Sequence, residues 1–199
     1  MDDYKKITKE FYNRNAERYA IKHRALFSEQ KEEVKHFSDL LSGKRVLDLG
    51  CGPGEHAAHF KKLGYKVKAI DFSERMVALA KSKQIEAEVM DIEDLKFPPN
   101  SFDGIWAVTS LLHIKKTDLP KVIEKLYQLL SEKGILYVCT LEGRGQRYIS
   151  DGGVDEKRFF AFWERNEFAQ LFSEHFELKS FYEVVVKEKY FLEYFLQKK

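Results

Sequence analysis

The stretch VLDLGCGPGEH, Val46 to His56, sets three glycines, Gly50, Gly52 and Gly54, within five positions directly behind an apolar run. A glycine turn after a β-rich run brings backbone close to something, and in an alternating strand–helix chain it lines the crevice where ligands bind. A dinucleotide site asks for G-x-G-x-x-G, whose last glycine lets the helix pack beneath a pyrophosphate. Here the sixth position is Glu55. Its carboxylate competes with phosphate for the positive end of the following helix. Asp48 stands two residues before the first glycine, where an NAD site is usually apolar. The turn suits a ligand carrying positive charge and opposes an NAD-dependent reductase.

On both sides of the turn, β-rich runs alternate with helix-periodic segments, the pattern of a parallel sheet with helices on its faces. Strands are expected over 45–49, 66–71, 86–91, 103–108 and 134–141. Helices are expected over 56–63, 74–83 and 119–130. The last repeats Val122, Ile123, Leu126 and Leu129 at helical spacing, with Asp118 as its cap and Pro120 in its first turn. Upstream, 28–41 carries Val34, Phe37 and Leu41 on one face, and 4–20 carries Phe11, Tyr12, Ala16 and Tyr19. Downstream come a glycine- and charge-rich loop, 142–158, and a helix around 163–175. Two β-rich runs, 177–186 and 190–197, then flank Lys187-Glu188-Lys189 and read as an antiparallel hairpin.

Composition narrows the class. With 44% hydrophobic side chains in 199 residues, the chain can bury one good core but is short for two full domains. Its 34 basic and 32 acidic residues leave a formal charge of +2, no basic field of the kind that holds nucleic acid. Cys51 and Cys139 are too few for a disulfide framework or a cysteine metal cluster, so no metal is expected. No apolar run approaches the roughly 20 residues of a membrane helix. The opening MDDYKKITKEFYNRN is charged where a signal peptide is greasy. The expectation is a soluble, cytoplasmic monomer or homodimer with no nucleic-acid or membrane partner.

Two apolar residues, then Asp48, then G-C-G-P-G, resemble motif I of the class I S-adenosylmethionine-dependent methyltransferases. In that family the loop cradles the methionine portion of the cofactor, which implies roles for Asp48, Gly50, Cys51, Gly52 and Gly54. Asp71, in KAIDFSERMVALA, matches the strand-end acid that takes the ribose diol, a carboxylate offering only acceptors to two hydroxyl donors. Asp71 also fits a cap for the helix 74–83, a role equally open to Ser73. Phe72 and Met76 would flank the adenine. Asp91 and Ile92, in MDIEDLKF, match the acid and the apolar backbone that read the adenine edge, with Asp94 a nearby rival. FDGIWAVTSLLHI resembles the next segment, in which backbone around Ala107 and side chains up to His113 face the methyl donor. No N-P-P-Y follows that strand, which argues against methylation of DNA amines or glutamine side chains. The similarity covers roughly 44–141.

This resemblance implies an α/β fold: a Rossmann-like, doubly wound, seven-stranded sheet, mostly parallel with an antiparallel last strand and helices on both faces. We expect residues 1–199 to form one such domain, with a helical cap at 1–43, a cofactor-binding core at 44–141, and a lid loop, helix and C-terminal hairpin at 142–199. The implied cofactor is S-adenosyl-L-methionine, and the implied reaction moves its methyl group to a small-molecule acceptor by in-line displacement, where position counts for more than exotic side chains.

A hydroxyl or protonated amine acceptor also needs a base, for which His113 is the candidate; its alternative is a backbone hydrogen bond. His56 and His59 read as structural. In this group an aromatic N-terminal element lies over the cofactor, and Tyr12 and Tyr19 share a helical face, either shielding the sulfonium or packing on the sheet. Arg24 is a candidate for the cofactor carboxylate. The loop 142–158, with Gly143, Gly145, Gly152 and Gly153, reads as a lid carrying Arg144, Arg147 and Tyr148 toward an acceptor, or as a solvated connection. Phe159, Phe160, Phe162 and Trp163 read as acceptor-pocket wall or core. Alternatives to the enzyme are a non-catalytic module binding S-adenosylmethionine or S-adenosylhomocysteine, and a protein or RNA methyltransferase.

Overall fold

The computed structural model describes residues 2–150 and 157–199, apart from the side chains of 23–29. Helices α1 (Asp3–Glu29) and α2 (Lys31–Leu40) precede β1 (Arg45–Leu49). Then follow α3 (Glu55–Lys62), β2 (Lys66–Asp71), α4 (Glu74–Ser82), β3 (Ala87–Val89), β4 (Phe102–Val108), α5 (Leu119–Leu129) and β5 (Leu130–Leu141). The chain closes with β6 (Gln146–Ser150), β7 (Lys157–Ala161), α6 (Arg165–Phe172), β8 (Phe176–Val186) and β9 (Lys189–Lys198). Among the described residues no helix is long and apolar enough to cross a membrane.

Seven strands make one sheet in the order β3-β2-β1-β4-β5-β9-β8. The first five run parallel, and β9 inserts antiparallel between β5 and β8. The expected fold is therefore present. Chain direction across the sheet reverses between β1 and β4, so a crevice opens beyond Leu49 and Val108, where such folds bind ligands.

Period-two alternation divides the core between the two faces. Trp106 and Tyr137 stack with ring centroids 4.0 Å apart on the face covered by α2, where Phe37 meets Trp106 edge-on at 5.2 Å. Ile105, Ala107 and Leu136 point the other way, into a cluster with Leu126, Phe168 and Phe172 of α5 and α6. Ser73 caps α4, its Oγ accepting the Met76 amide at 3.2 Å.

Several local expectations are corrected. Helix α1 runs on to Glu29, so Ser28 belongs to it and α2 begins only at Lys31. Asp118 precedes α5 in a helical backbone conformation, and its carboxylate accepts from Thr117 Oγ1 at 3.2 Å instead of capping. The segment 142–158 is not simply a loop: β6 pairs antiparallel with β7, matching Tyr148 to Phe159 and Arg147 to Phe160. Helix α6 starts at Arg165, leaving Trp163 in a bridge with Glu142. Gly152 and Gly153 lie outside the described residues.

Candidate active site

Asp48 occupies the α3-facing side of β1, and its Oδ2 accepts the Ala57 amide at 3.0 Å, tying the strand to the helix behind the glycine turn. Asp71 ends β2. Its Oδ2 accepts from the Gly52 amide at 2.9 Å and its Oδ1 from the Ser73 amide at 2.9 Å. The α4 cap is thus Ser73, and Asp71 holds the glycine turn against the head of that helix. Burial raises Asp48 to about 7, with Asp71 adding to the shift, and raises Asp71 to about 6. Buried carboxylates in that condition favour a cationic or hydrogen-bond-donating neighbour.

The glycines divide their tasks. Gly50 has φ +76°, and a Cβ there would sit 2.4 Å from Ser110 Cβ. Gly52 has φ +52°, and a Cβ would meet nothing within 4 Å. Gly54 also has positive φ, but a Cβ there would strike Ala80 of α4 at 2.8 Å, so its smallness serves helix packing.

A cavity opens beside these residues. Its wall includes Tyr19, Asp48, Gly50, Cys51, Gly52, Asp71, Phe72, Met76, Asp91, Ile92 and His113. Two expected residues are absent from that wall. Gly54 packs on Ala80, and Ala107 points into the apolar cluster on the opposite face of β4, leaving Val108, Thr109 and Ser110 to face the cavity. Asp91, not its rival Asp94, lines it. Asp91 Oδ2 accepts from Lys5 Nζ at 2.8 Å and its Oδ1 from the Glu93 amide at 2.9 Å. Nothing local in the sequence marks Lys5; α1 carries it across to the acids that follow β3. His56 also lines the cavity, bonded through Nε2 to Gln30 Oε1 at 2.8 Å. Arg24 lies among the side chains outside the described residues.

A second, larger cavity adjoins the first. Tyr12, Tyr19, Val108, Thr109 and His113 line both. Thr109 takes φ +49°, costly for a β-branched residue and the kind of strain that gathers at functional sites. Phe160 faces the second cavity, whereas Phe159 packs on Tyr4 at 4.8 Å and Trp163 on Phe168 at 5.5 Å. Arg144 pairs with Glu164 at 2.7 Å, Arg147 lies over the Phe162 ring, and Tyr148 is exposed. None of the three lines either cavity, so the expected delivery of these side chains by a lid is not seen.

His113 is fully engaged. A carbonyl only accepts, so the 2.6 Å contact of Nδ1 with Phe159 O puts the proton on Nδ1. Nε2 then accepts the Tyr12 hydroxyl hydrogen at 2.8 Å, and that hydroxyl in turn accepts from Arg158 Nη1 at 3.1 Å. Burial, with the Arg158 charge adding to it, lowers His113 to about 3. The expectation of a general base is corrected here: the lone pair is in use, and so weak a base holds a proton poorly near neutrality.

A doubly wound sheet whose seventh strand turns antiparallel, with a glycine turn and strand-end acids at its switch point, defines the class I methyltransferase fold. The methyltransferase domain family matches residues 46–134. A malonyl-(acyl-carrier protein) O-methyltransferase of Erwinia billingiae is 32% identical over 112 residues, 55% of this chain and 44% of that protein. A ubiquinone biosynthesis O-methyltransferase of Xanthomonas campestris is 35% identical over 108 residues, 51% of this chain and 44% of that protein. The chain thus spans less than half the length of these curated relatives. The fold is shared with the 1,6-didemethyltoxoflavin-N1-methyltransferase of Burkholderia thailandensis, solved with S-adenosylhomocysteine, at a TM-score of 0.75 and 18% identity over 99% of this chain and 89% of that one. Residues 46–134 thus match the methyltransferase domain family, within a sheet that has the class I methyltransferase fold.

Proposed function

We propose that this protein moves a methyl group from S-adenosylmethionine to a small-molecule acceptor by in-line displacement. One observation carries the reading: a cavity at the sheet's switch point, walled by the glycine turn and the strand-end acids, joins a larger, mainly apolar cavity through Tyr12, Tyr19, Val108, Thr109 and His113.

The residues of the first cavity fit the cofactor. Gly52 leaves open space where any side chain would protrude, and Ser110 Oγ is a buried hydroxyl without a partner among the described residues. Each Asp71 oxygen keeps a lone pair beyond its amide bond, enough for a ribose diol. Cys51 and Asp48 would flank the methionine end, Phe72 and Met76 the adenine, and Asp91 with Ile92 its edge. When bound, the cofactor supplies a methyl group on a sulfonium whose charge disappears on transfer. Tyr12 and Tyr19 meet edge-on at 5.4 Å over the junction, screening it from water and offering ring faces to a cation. We assign His113 to holding the Tyr12 hydroxyl in place. Residues 1–199 act as one unit in this reading, with 1–43 as the cap.

Calorimetry with S-adenosylhomocysteine and S-adenosylmethionine tests this directly. Saturable one-to-one binding of both, lost in Asp71→Ala, is the expected result, whereas absence of binding removes the proposal. Incubating the protein with labelled methyl donor and metabolite pools then separates transfer from mere binding.

A further inference from the structure

Two carboxylates face the second cavity, and nothing described so far uses them. Glu193 lies on β9, 3% exposed, and Glu33 on α2, half-buried. Oε2 of each is buried with no hydrogen-bond partner, and among the described residues neither side chain forms an ion pair. Two cations also line the cavity, and among the described residues neither forms an ion pair with these carboxylates. Arg158 is bonded to the Tyr12 hydroxyl and lies over the Phe11 ring at 4.4 Å, while Lys189 is exposed at the start of β9. Like charges facing each other in an apolar enclosure are unstable unless a proton or a cation comes between them. Burial raises Glu193 most, the Glu33 charge raises it further, and the neighbouring Tyr137 hydroxyl acts in the opposite direction.

Resting on the methyltransferase reading, we propose that the second cavity takes an acceptor bearing a basic nitrogen, docked as an ammonium between Glu33 and Glu193. Sheet register sets the reach. Val108 pairs with Cys139 and Cys139 with Glu193, so the carboxylate stands two strand spacings, about 10 Å, from the junction of the cavities. The ammonium is therefore an anchor set apart from the methylated atom. Leu112, Leu141, Phe160, Val184 and Phe191 supply the apolar wall that holds the body of the molecule between them.

The test uses the full chain saturated with S-adenosylhomocysteine at pH 8, with tryptamine and indole-3-propionate as isosteric probes of opposite charge. Calorimetry should give tryptamine about ten-fold or more the affinity of the acid, the scale of a charge-assisted hydrogen bond. Glu193→Gln keeps shape while deleting the buried charge, and should abolish that preference without changing affinity for S-adenosylhomocysteine. Glu33→Gln, on a half-buried helix position, should reduce it in the same direction. Equal binding of the two indoles, an unchanged preference in both variants, or binding of neither indole by protein that still takes the nucleoside would overturn the inference. Failure of the wild type to bind S-adenosylhomocysteine would instead strike the reading beneath it.

Discussion

The Tyr12 hydroxyl and the His113 ring are locked together: Nε2 accepts from the phenol at 2.8 Å, and Nδ1 donates to the Phe159 carbonyl at 2.6 Å. With a folded pKa of about 3, His113 stays neutral across the physiological range. The folded protein then binds fewer protons here than the unfolded chain between about pH 3 and 6.5, so this residue costs stability as the pH falls through that window. Nitrogen chemical shifts of the His113 ring should stay constant from pH 8 to pH 5. A titration near 6.5 contradicts the assignment.

Gly50 and Gly52 should fail differently. Both have positive φ, worth about 1–2 kcal/mol against any L-side chain. Only at Gly50 does a Cβ also collide, with Ser110. Gly50→Ala should lower the melting temperature markedly, by more than the backbone term alone. Gly52→Ala should melt only slightly lower yet lose affinity for S-adenosylhomocysteine, because its methyl projects into the cavity. Paired melting and calorimetric measurements distinguish the two.

Asp48 and Asp71 are raised to about 7 and about 6, so part of the free protein carries protons on them near pH 6. A cationic ligand favours the ionised forms, and binding should therefore expel protons. Calorimetry at pH 6 in buffers of different ionisation enthalpy should show net release, larger for S-adenosylmethionine than for its uncharged-sulfur product. Asp71→Ala should diminish the release and weaken binding by more than about ten-fold, the loss of two charge-assisted hydrogen bonds.

Glu193 carries a pH signature of its own. Its folded pKa of about 7 exceeds the ordinary carboxylate value of 4.5, so the folded state holds a proton that the unfolded chain has released. Stability falls as the pH rises from about 4.5 through 7. Glu193→Gln escapes that loss. Its advantage over wild type should be absent at pH 4.5 and reach on the order of 3 kcal/mol by pH 8, read from denaturant unfolding at each pH.

Local chemistry explains what could be read from the chain. VLDLGCGPGEH, the alternating runs and the strand-end Asp71 and Asp91 are short-range patterns, and each stands in the crevice wall or next to it. The hairpin β6–β7 was hidden because Gly143, Gly145 and the charges around them outweighed the alternation in Gln146–Ser150. Lys5, Arg158 and Glu33 depend on contacts spanning most of the chain. Glu193 did leave a trace, a lone acid within the apolar run of β9. Only its register against Cys139 tells which face of the sheet it occupies.

Helix α1 touches both compartments through Tyr12 and Tyr19, and is tied down by side-chain bonds from Lys5 to Asp91 and from Ser73 to Asn13. Beside these polar ties, Tyr4, Phe11 and Ala16 of the same helix are buried, with Tyr4 packed on Phe159. One roof over two rooms means that a change in either compartment meets the same two tyrosine rings.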